Sequence, residues 1–306
     1  MRIVFHDLTV EPQPWLAQLL LAFPGADIAL WQPGAAPADY ALVWAPPQQL
    51  LAEQTALKAL FNIAAGVDAL MQMRLPPGVP IFRLDDAGMA VQMAEYVCHA
   101  VIRHFRDFDA YAAAQRDACW AQREPRRRED FSVGLLGLGV LGSRVAQALS
   151  AFGFPLLGWS RSPKAQDGVQ CHHGAAGLND FLAGSQVLVN LLPLTPETEK
   201  LLNRDTLGRL RPGGYLVNVA RGAHLVEADL LALLESGQLA GATLDVFRTE
   251  PLPPEHPFWH HPRITVTPHV SARTLREESI AQIARKIRAL QRGEPIAGVV
   301  DPVRGY

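Results

Sequence analysis

Short apolar runs alternate with longer segments of helical periodicity along the whole chain. This alternation predicts parallel sheets covered by helices, because each strand returns to the same edge of its sheet through a crossover. In the first part of the chain, the candidate strands are residues 3–5, 28–31, 41–45, 61–64 and 81–84. Helical periodicity falls on residues 15–23 and 53–60.

Apolar side chains then recur at three- and four-residue steps from Met93 to Tyr111, which predicts one long helix. A charged segment at residues 123–130 ends this pattern, and we interpret it as a solvated linker rather than a nucleic-acid patch. The last helix is predicted to begin at a capping box, Thr274 with Glu277, and to end at Gly293.

A second alternation of strands and helices starts at Phe131. Its six candidate strands are residues 131–136, 155–159, 187–191, 215–219, 242–246 and 264–267. Six strands with crossover helices predict a doubly wound dinucleotide-binding fold. The expected fold class is therefore α/β, with two doubly wound parallel-sheet domains.

The most specific local motif is GLGVLG at residues 137–142, between a predicted strand and a predicted helix. In this context the motif predicts a loop that binds a dinucleotide pyrophosphate. Gly137 allows the tight turn, Gly139 allows the close approach of phosphate, and Gly142 allows the helix to pack on the strand. Val140 and Leu141 open the helix, whose positive end faces the phosphates. The alternative is a glycine turn without a ligand.

The segment that follows the next strand suggests which dinucleotide binds. An NAD site usually has Asp or Glu about 20 residues after the glycine loop, to hold the ribose 2′-hydroxyl. This chain instead has Ser160, Arg161, Ser162 and Lys164, with no acid. Hydroxyl, guanidinium and amine groups suit a 2′-phosphate. We therefore expect NADPH to be preferred and NAD to be possible, the alternative being a solvent-exposed turn that is basic by chance.

Reactive side chains follow the later strands, where ligands bind in open α/β sheets. His269 is a candidate proton donor, and Glu250 is the best placed carboxylate to favour its charged form. Arg221 offers a planar fork for a substrate carboxylate. Singly, each residue also fits a surface, capping or core position. Together, after a dinucleotide fold, they predict hydride reduction of a small 2-keto acid.

The composition excludes several classes of protein. The 306 residues carry a net charge of -2 and are 49% hydrophobic, which argues against disorder and against general nucleic-acid binding. No apolar run reaches the roughly 18 residues of a membrane span, and no secretory signal is visible, so we expect a cytoplasmic protein with no membrane partner. The 3 cysteines are expected to be reduced thiols. No metal is expected, although a metal-dependent hydrolase built on Glu255, His256, His260 and His261 is a remote alternative.

Taken together, these motifs resemble the D-isomer-specific 2-hydroxyacid dehydrogenase family over essentially the whole chain. The segments that carry the resemblance are residues 64–68, 137–142, 159–162, 192–198, 220–222, 244–247, 250–253, 267–269 and 304–306. The resemblance implies reduction of glyoxylate to glycolate and of hydroxypyruvate to D-glycerate, or of a bulkier 2-keto acid. A sensing or corepressor-like module that keeps this fold is the alternative from another class.

The resemblance also implies individual roles. Arg221 would orient and polarise the substrate, His269 would be the acid and base, and Glu250 its partner. Further substrate contacts would come from Trp44, Ala65, Gly66 and Val67, the alternative for Trp44 being an ordinary packed indole. Asp245 would hold the nicotinamide carboxamide. The other cofactor contacts would come from Leu192, Pro193, Thr198, Val219 and Ala220.

The family resemblance further implies a split order of domains. Residues 1–98 with 273–306 would form the flavodoxin-like substrate domain, and residues 99–272 an inserted Rossmann domain for NAD(P). The implied assembly is a homodimer.

Overall fold

The computed structural model describes residues 1–302 and 304–305; of the C-terminal tail that carries part of the resemblance, Tyr306 lies outside the described residues. The chain divides into two compact units. Unit 1 comprises Met1–Met89 and Thr274–Tyr306, and unit 2 comprises Ala90–Arg273. The assignment of residues 1–98 with 273–306 to substrate binding, and of 99–272 to cofactor binding, stays a prediction.

The elements alternate between strand and helix as the sequence pattern indicates. The strands are β1 (Arg2–His6), β2 (Asp27–Leu30), β3 (Tyr40–Val43), β4 (Ala59–Asn62), β5 (Ile81–Arg83), β6 (Val133–Leu136), β7 (Leu156–Ser160), β8 (Val169–His173), β9 (Val187–Asn190), β10 (Gly214–Asn218), β11 (Leu239–Leu244) and β12 (Ile264–Val266). The helices are α1 (Pro12–Ala22), α2 (Gln48–Glu53), α3 (Asp68–Met71), α4 (Met89–Phe105), α5 (Phe108–Arg116), α6 (Val140–Ser150), α7 (Gly174–Gly184), α8 (Arg204–Leu207), α9 (Glu227–Glu235) and α10 (Arg276–Gln291). Within the described ranges, none of these helices has both the length and the apolar character that a membrane span needs.

Unit 1 is built on a parallel sheet with the strand order β2-β1-β3-β4-β5. This order reverses between β1 and β3, as it does in flavodoxin-like folds. Strands β3 and β4 are buried at every position, which explains why they appear in the sequence as continuous apolar runs. A buried lysine, Lys286 of α10, donates to Asp85 at 2.9 Å and to the Arg83 carbonyl at 2.7 Å, so α10 is tied to the end of β5.

Unit 2 is built on a parallel sheet with the order β12-β11-β10-β9-β6-β7-β8. The order reverses between β6 and β9, as in dinucleotide-binding folds, with β12 as one strand more. Alternate residues of β6, β7, β9 and β10 pack into two cores on opposite faces of the sheet, one formed with α4 and α6 and the other with α7 and α9. The predicted class of two doubly wound parallel-sheet domains is confirmed.

Three local expectations are wrong. The helix expected at residues 53–60 is absent, because β4 takes Ala59 into the centre of a sheet and tertiary pairing overrides a short periodic signal. The long helix expected from Met93 to Tyr111 is broken at Asp107, whose φ is 54°, and Arg126 donates at 2.6 Å both to its carboxylate and to the His104 carbonyl. The capping box at Thr274 does not form, since α10 starts after Leu275 without a side-chain cap.

The sequence prediction also missed β8, which pairs only with β7 at the sheet edge. Its residues are half-buried or exposed and include two histidines, so it lacks the apolar run by which buried strands are recognised. At the other end of the chain, Gly293 has a φ of 70° just beyond α10, which confirms the predicted helix stop.

Candidate active site

The glycine loop connects β6 to α6 and leaves room for a ligand at one position. A Cβ on Gly137 would lie 3.1 Å from the Leu191 carbonyl oxygen, and one on Gly142 would lie 2.0 Å from the Gly137 carbonyl oxygen. Both positions are therefore closed by the protein itself. Around Gly139, in contrast, nothing lies within 4 Å of such a Cβ. Gly139 precedes the first turn of α6, so the open space lies at a helix N-terminus, where a pyrophosphate fits.

The segment after β7 is linked to the glycine loop. The buried Ser160 hydroxyl donates to the Ser162 carbonyl at 2.8 Å, which fixes the turn. The Lys164 ammonium donates to the Leu138 carbonyl at 2.6 Å, inside the glycine loop. Arg161 and Ser162 are exposed. The structure therefore gives Lys164 a bracing role that the sequence did not indicate.

The segment after β9 is a tight turn beside the glycine loop. The Thr198 hydroxyl donates to the Pro193 carbonyl at 2.7 Å and accepts from the Thr195 N–H at 2.8 Å. Leu192 is buried, and one of its methyl groups would lie 3.4 Å from a Cβ on Gly137. Residues 192–198 thus form a hydrogen-bonded turn that follows β9, next to the point where the strand order reverses between β6 and β9.

His269 and Glu250 form a hydrogen-bonded pair. His269 Nδ1 lies 2.8 Å from Glu250 Oε2, and Glu250 Oε1 accepts from the Phe247 N–H at 2.9 Å. Partial burial raises the pKa of Glu250, but the bonds from His269 and Phe247, with the charges of His269 and Arg221, outweigh burial and lower it. Glu250 is therefore a carboxylate at neutral pH. Because Nδ1 is turned to Glu250, the His269 ring presents Nε2 on its other side, and the side chain is 43% exposed.

Arg221 follows β10, and its positive charge contributes to lowering the pKa of Glu250. All three predicted catalytic residues therefore lie in one part of unit 2. Its Nη1 donates to the Ala220 carbonyl at 2.7 Å. Its own carbonyl accepts from Asn218 Nδ2 and faces His224 Nδ1, each at 3.1 Å. The main chain at Arg221 is thus held by buried polar side chains.

Asp245 is fully buried and organises the loop that carries His269. Its Oδ1 accepts from the Thr267 hydroxyl at 2.6 Å and the Val270 N–H at 2.9 Å, and its Oδ2 accepts from the Ser271 N–H at 2.8 Å. The nicotinamide contact that the family resemblance implies for Asp245 stays a prediction. The structure adds a supporting role that sequence reasoning missed, because the spacing of 245 and 267–271 does not show that they meet.

Tyr96 is a residue of this site that sequence reasoning missed. Its hydroxyl lies 2.5 Å from the Thr267 hydroxyl, which itself donates to Asp245. Burial raises the pKa of Tyr96 to about 12, against a smaller lowering by the Thr267 bond, so the phenol stays protonated. On α4 this tyrosine fits an ordinary apolar stripe, and nothing in its sequence context marks it as part of the site.

In unit 1, the expected substrate residues lie just beyond the carboxyl ends of strands. Trp44 follows β3 and is half-buried. Ala65, Gly66 and Val67 follow β4, where the buried Asn62 side chain donates to the carbonyls of Ala64 and Gly66, each at 2.8 Å. Asn62 therefore shapes this loop, although sequence reasoning assigned it no role.

The residues of the alternative metal site have other contacts. His256 Nε2 lies 3.3 Å from Glu227 in the first turn of α9, and His256 Nδ1 accepts from the Phe258 N–H at 3.3 Å. His261 Nδ1 accepts from the Arg263 N–H at 3.2 Å. Within residues 1–302 and 304–305, no group of three or more His, Cys, Asp or Glu side chains could hold a metal ion.

Comparison with known proteins identifies the family. Residues 98–271 match the family described as D-isomer specific 2-hydroxyacid dehydrogenase, NAD binding domain. Over the full length of both chains, the protein is 52% identical to glyoxylate/hydroxypyruvate reductase A of Serratia proteamaculans and 47% identical to that of Yersinia enterocolitica. The chain belongs to the D-isomer-specific 2-hydroxyacid dehydrogenase family. The resemblance drawn from the sequence motifs is thereby confirmed.

Solved structures of other D-2-hydroxyacid dehydrogenases superimpose on the whole chain. One from Xanthobacter autotrophicus, in complex with NADPH and MES, is 43% identical, with a TM-score of 0.95 and coverage of 100% of this chain and 99% of that one. The NADPH-dependent glyoxylate/hydroxypyruvate reductase of Sinorhizobium meliloti, in complex with NADP and sulfate, is 36% identical, with a TM-score of 0.93 and the same coverage. These similarities extend the family membership to both units.

Proposed function

We propose that the protein is an NADPH-dependent reductase of small 2-keto acids, converting glyoxylate to glycolate and hydroxypyruvate to D-glycerate. The observation that carries this proposal is the 2.8 Å bond between His269 and Glu250, with the Arg221 charge close enough to lower the pKa of Glu250. The relatives that match over the full length bear the name glyoxylate/hydroxypyruvate reductase A, which supports the same activity and substrates.

The residues of unit 2 would hold the cofactor in a defined way. The open space at Gly139 and the start of α6, at Val140 and Leu141, would take the pyrophosphate, and Gly137 and Gly142 would close the loop around it. Leu192, Pro193, Thr198, Val219, Ala220 and Asp245 complete the proposed set of contacts. When bound, the reduced nicotinamide supplies a hydride to the substrate.

The remaining chemistry belongs to side chains. Arg221 pairs its guanidinium with the substrate carboxylate and polarises the keto group. The protonated His269 gives the proton on Nε2 to the carbonyl oxygen as the carbon accepts the hydride, which yields a hydroxyl group and a neutral imidazole. Glu250 accepts a hydrogen bond from Nδ1 and so fixes the orientation of the ring, which leaves Nε2 to face the substrate.

The preference for NADPH is proposed from the segment after β7. It has no acid to accept from a ribose 2′-hydroxyl, and its exposed Arg161 and Ser162 offer donors to a 2′-phosphate. Complexes of relatives with NADPH and NADP support this choice. In unit 1, Trp44, Ala65, Gly66 and Val67 are the proposed substrate contacts. We also infer that the protein is cytoplasmic and forms a homodimer. Sedimentation of the purified protein would test the homodimer.

The decisive experiment is initial-rate kinetics with NADPH and NADH against glyoxylate, hydroxypyruvate and larger 2-keto acids. We expect oxidation of NADPH with both small substrates, at a higher kcat/KM than with NADH. Absence of turnover with every keto acid, in a preparation that binds NADPH, would reject the reductase and favour a sensing role.

A further inference from the structure

Two buried asparagines end adjacent strands of unit 2. Asn190 is the last residue of β9 and Asn218 is the last of β10, and both side chains are 0% exposed. Asn190 accepts from the Leu192 N–H at 3.2 Å and donates to Asn218 at 3.0 Å. Asn218 in turn donates to the Arg221 carbonyl at 3.1 Å. A buried chain of hydrogen bonds therefore runs from the segment after β9 to the main chain of Arg221.

His224 closes this chain into a ring. The residue is 0% exposed and ends the short 3-10 turn Gly222–His224. Its Nδ1 lies 3.1 Å from the Arg221 carbonyl oxygen, and its Nε2 lies 3.3 Å from the Pro193 carbonyl oxygen. Carbonyl oxygens only accept, so each contact is a hydrogen bond only where the imidazole carries a proton on that nitrogen.

This closed chain of hydrogen bonds lies between two other parts of the site. Toward the glycine loop, a Cβ on Gly137 would lie 3.1 Å from the Leu191 carbonyl, so the start of the Pro193 segment contacts that loop. Toward the catalytic pair, a Cβ on Gly222 would lie 1.8 Å from the Phe247 carbonyl carbon, and the Phe247 N–H donates to Glu250. The turn that His224 completes therefore lies directly against the residue that binds Glu250, and the Pro193 segment to which it is bonded lies directly against the glycine loop.

We propose that His224 is a positioning residue that couples the Pro193 segment beside the cofactor loop to the main chain of the catalytic Arg221. With both ring nitrogens protonated, Nε2–H donates to the Pro193 carbonyl and holds the segment that faces the cofactor, and Nδ1–H donates to the Arg221 carbonyl and holds the backbone from which the guanidinium extends. This inference rests on the proposed function and deepens it. The coupling predicts that loss of the Nε2 contact weakens NADPH binding and that loss of the Nδ1 contact lowers kcat. A histidine that only fills space would not separate these two effects.

Three substitutions at position 224 distinguish the two contacts. His224→Gln keeps a donor near the position of Nε2, His224→Asn keeps one near Nδ1, and His224→Phe keeps the volume of the ring but neither donor. We expect His224→Phe to raise the Kd for NADPH and to lower kcat, each by about 10-fold or more, since small displacements of positioning groups are costly. His224→Gln should retain NADPH binding and lose kcat, and His224→Asn should show the reverse.

The matched control is Ser185→Ala. Ser185 is also 0% exposed and donates to the Phe181 carbonyl at 2.7 Å, but it precedes β9 at the end of the strand away from Asn190. This variant should lose thermal stability with unchanged NADPH affinity and kcat. Fluorescence titration with NADPH gives the Kd independently of turnover, and thermal unfolding shows that each variant is folded.

The outcomes are separable from those of the proposed function. A wild-type protein without keto-acid turnover overturns the reductase, while NADPH titration of the variants still tests the contact with Pro193. If the His224→Gln and His224→Asn proteins behave alike, or like Ser185→Ala, then the histidine only fills space and the coupling is overturned. Should His224→Phe fail to fold, the two amide variants decide the question.

Discussion

His269 is placed by Asp245 through both main chain and side chain. The His269 N–H donates to the Asp245 carbonyl at 2.8 Å, and the Asp245 carboxylate accepts from the N–H groups of Val270 and Ser271, which directly follow. His269 itself has a φ of 54°, a conformation that L-residues adopt only when their surroundings require it. The aspartate is therefore part of the scaffold that positions His269.

Asp245→Asn should weaken that scaffold. One carboxylate oxygen would become an amide NH₂ facing a donor, and an unpaired buried donor costs about 1–3 kcal/mol. We expect a Tm lower by about 3 °C or more and a large loss of kcat, measured by calorimetry and initial rates. Asp205→Asn removes the same charge from an exposed helix start and serves as the control. Equal results for both variants would contradict the role of Asp245.

His269→Ala should lower kcat by about 10²-fold or more, because the proton donor is lost while Arg221 and the glycine loop remain. NADPH affinity, measured by fluorescence titration, should change little. His260→Ala, on an exposed ring in the Pro257–His260 turn, provides the matched control and should retain full turnover. A His269→Ala protein with near wild-type kcat would remove this histidine from the mechanism.

Arg161→Asp should change the choice of cofactor. The exposed guanidinium would be replaced by a carboxylate that repels a 2′-phosphate and can accept from a ribose 2′-hydroxyl. We expect the Kd for NADPH to rise by about 10-fold or more and the Kd for NADH to rise far less. Arg127→Asp makes the same charge change in an exposed ion pair with Glu129. Equal losses for both cofactors in the Arg161 variant would reject the assignment.

His104 should make the folded protein less stable in acid. Burial, with a smaller effect of the Arg126 charge, lowers the pKa of His104 to about 3, against about 6.5 in an unfolded chain. Between those values the unfolded state binds the extra proton, so stability falls as pH falls through this window, by up to about 1.4 kcal/mol per pH unit. Above it the contribution is constant.

His104→Phe should remove this part of the pH dependence. The His104 ring stacks on Tyr215 with centroids 4.1 Å apart, which a phenyl ring can reproduce. Urea unfolding between about pH 4 and pH 7 should give a flatter profile for the variant than for wild type. Parallel profiles for the two proteins would show that His104 is not the group that resists protonation.

The parts of the fold with strong periodicity could be predicted from the sequence, and the parts set by tertiary contacts could not. GLGVLG was recognised because glycine spacing between a strand and a helix has a specific backbone meaning. The start of the strand β4 overlaps the helix predicted at residues 53–60, because a short apolar run fits both periods. Arg221, Glu250 and His269 are predictable because they are the residue types that the chemistry needs near strand ends.

The supporting residues of the site had no comparable signal. Asn190, Asn218 and His224 are polar residues that in most sequences would be assigned to the surface, and only the structure shows them buried and bonded to one another. Asn62 and Tyr96 are similar cases. A hydrogen-bond network depends on which strands are neighbours, and this order is not encoded locally.

The bond from Lys164 to the Leu138 carbonyl limits how this enzyme can be redesigned. Exchanging the whole segment of residues 160–164 for one from an NADH enzyme would also remove the hydrogen bond that braces the glycine loop. Affinity for both dinucleotides would then fall, and the exchange would look like a failed conversion of specificity. Engineering toward NADH therefore has to alter Arg161 while retaining the lysine.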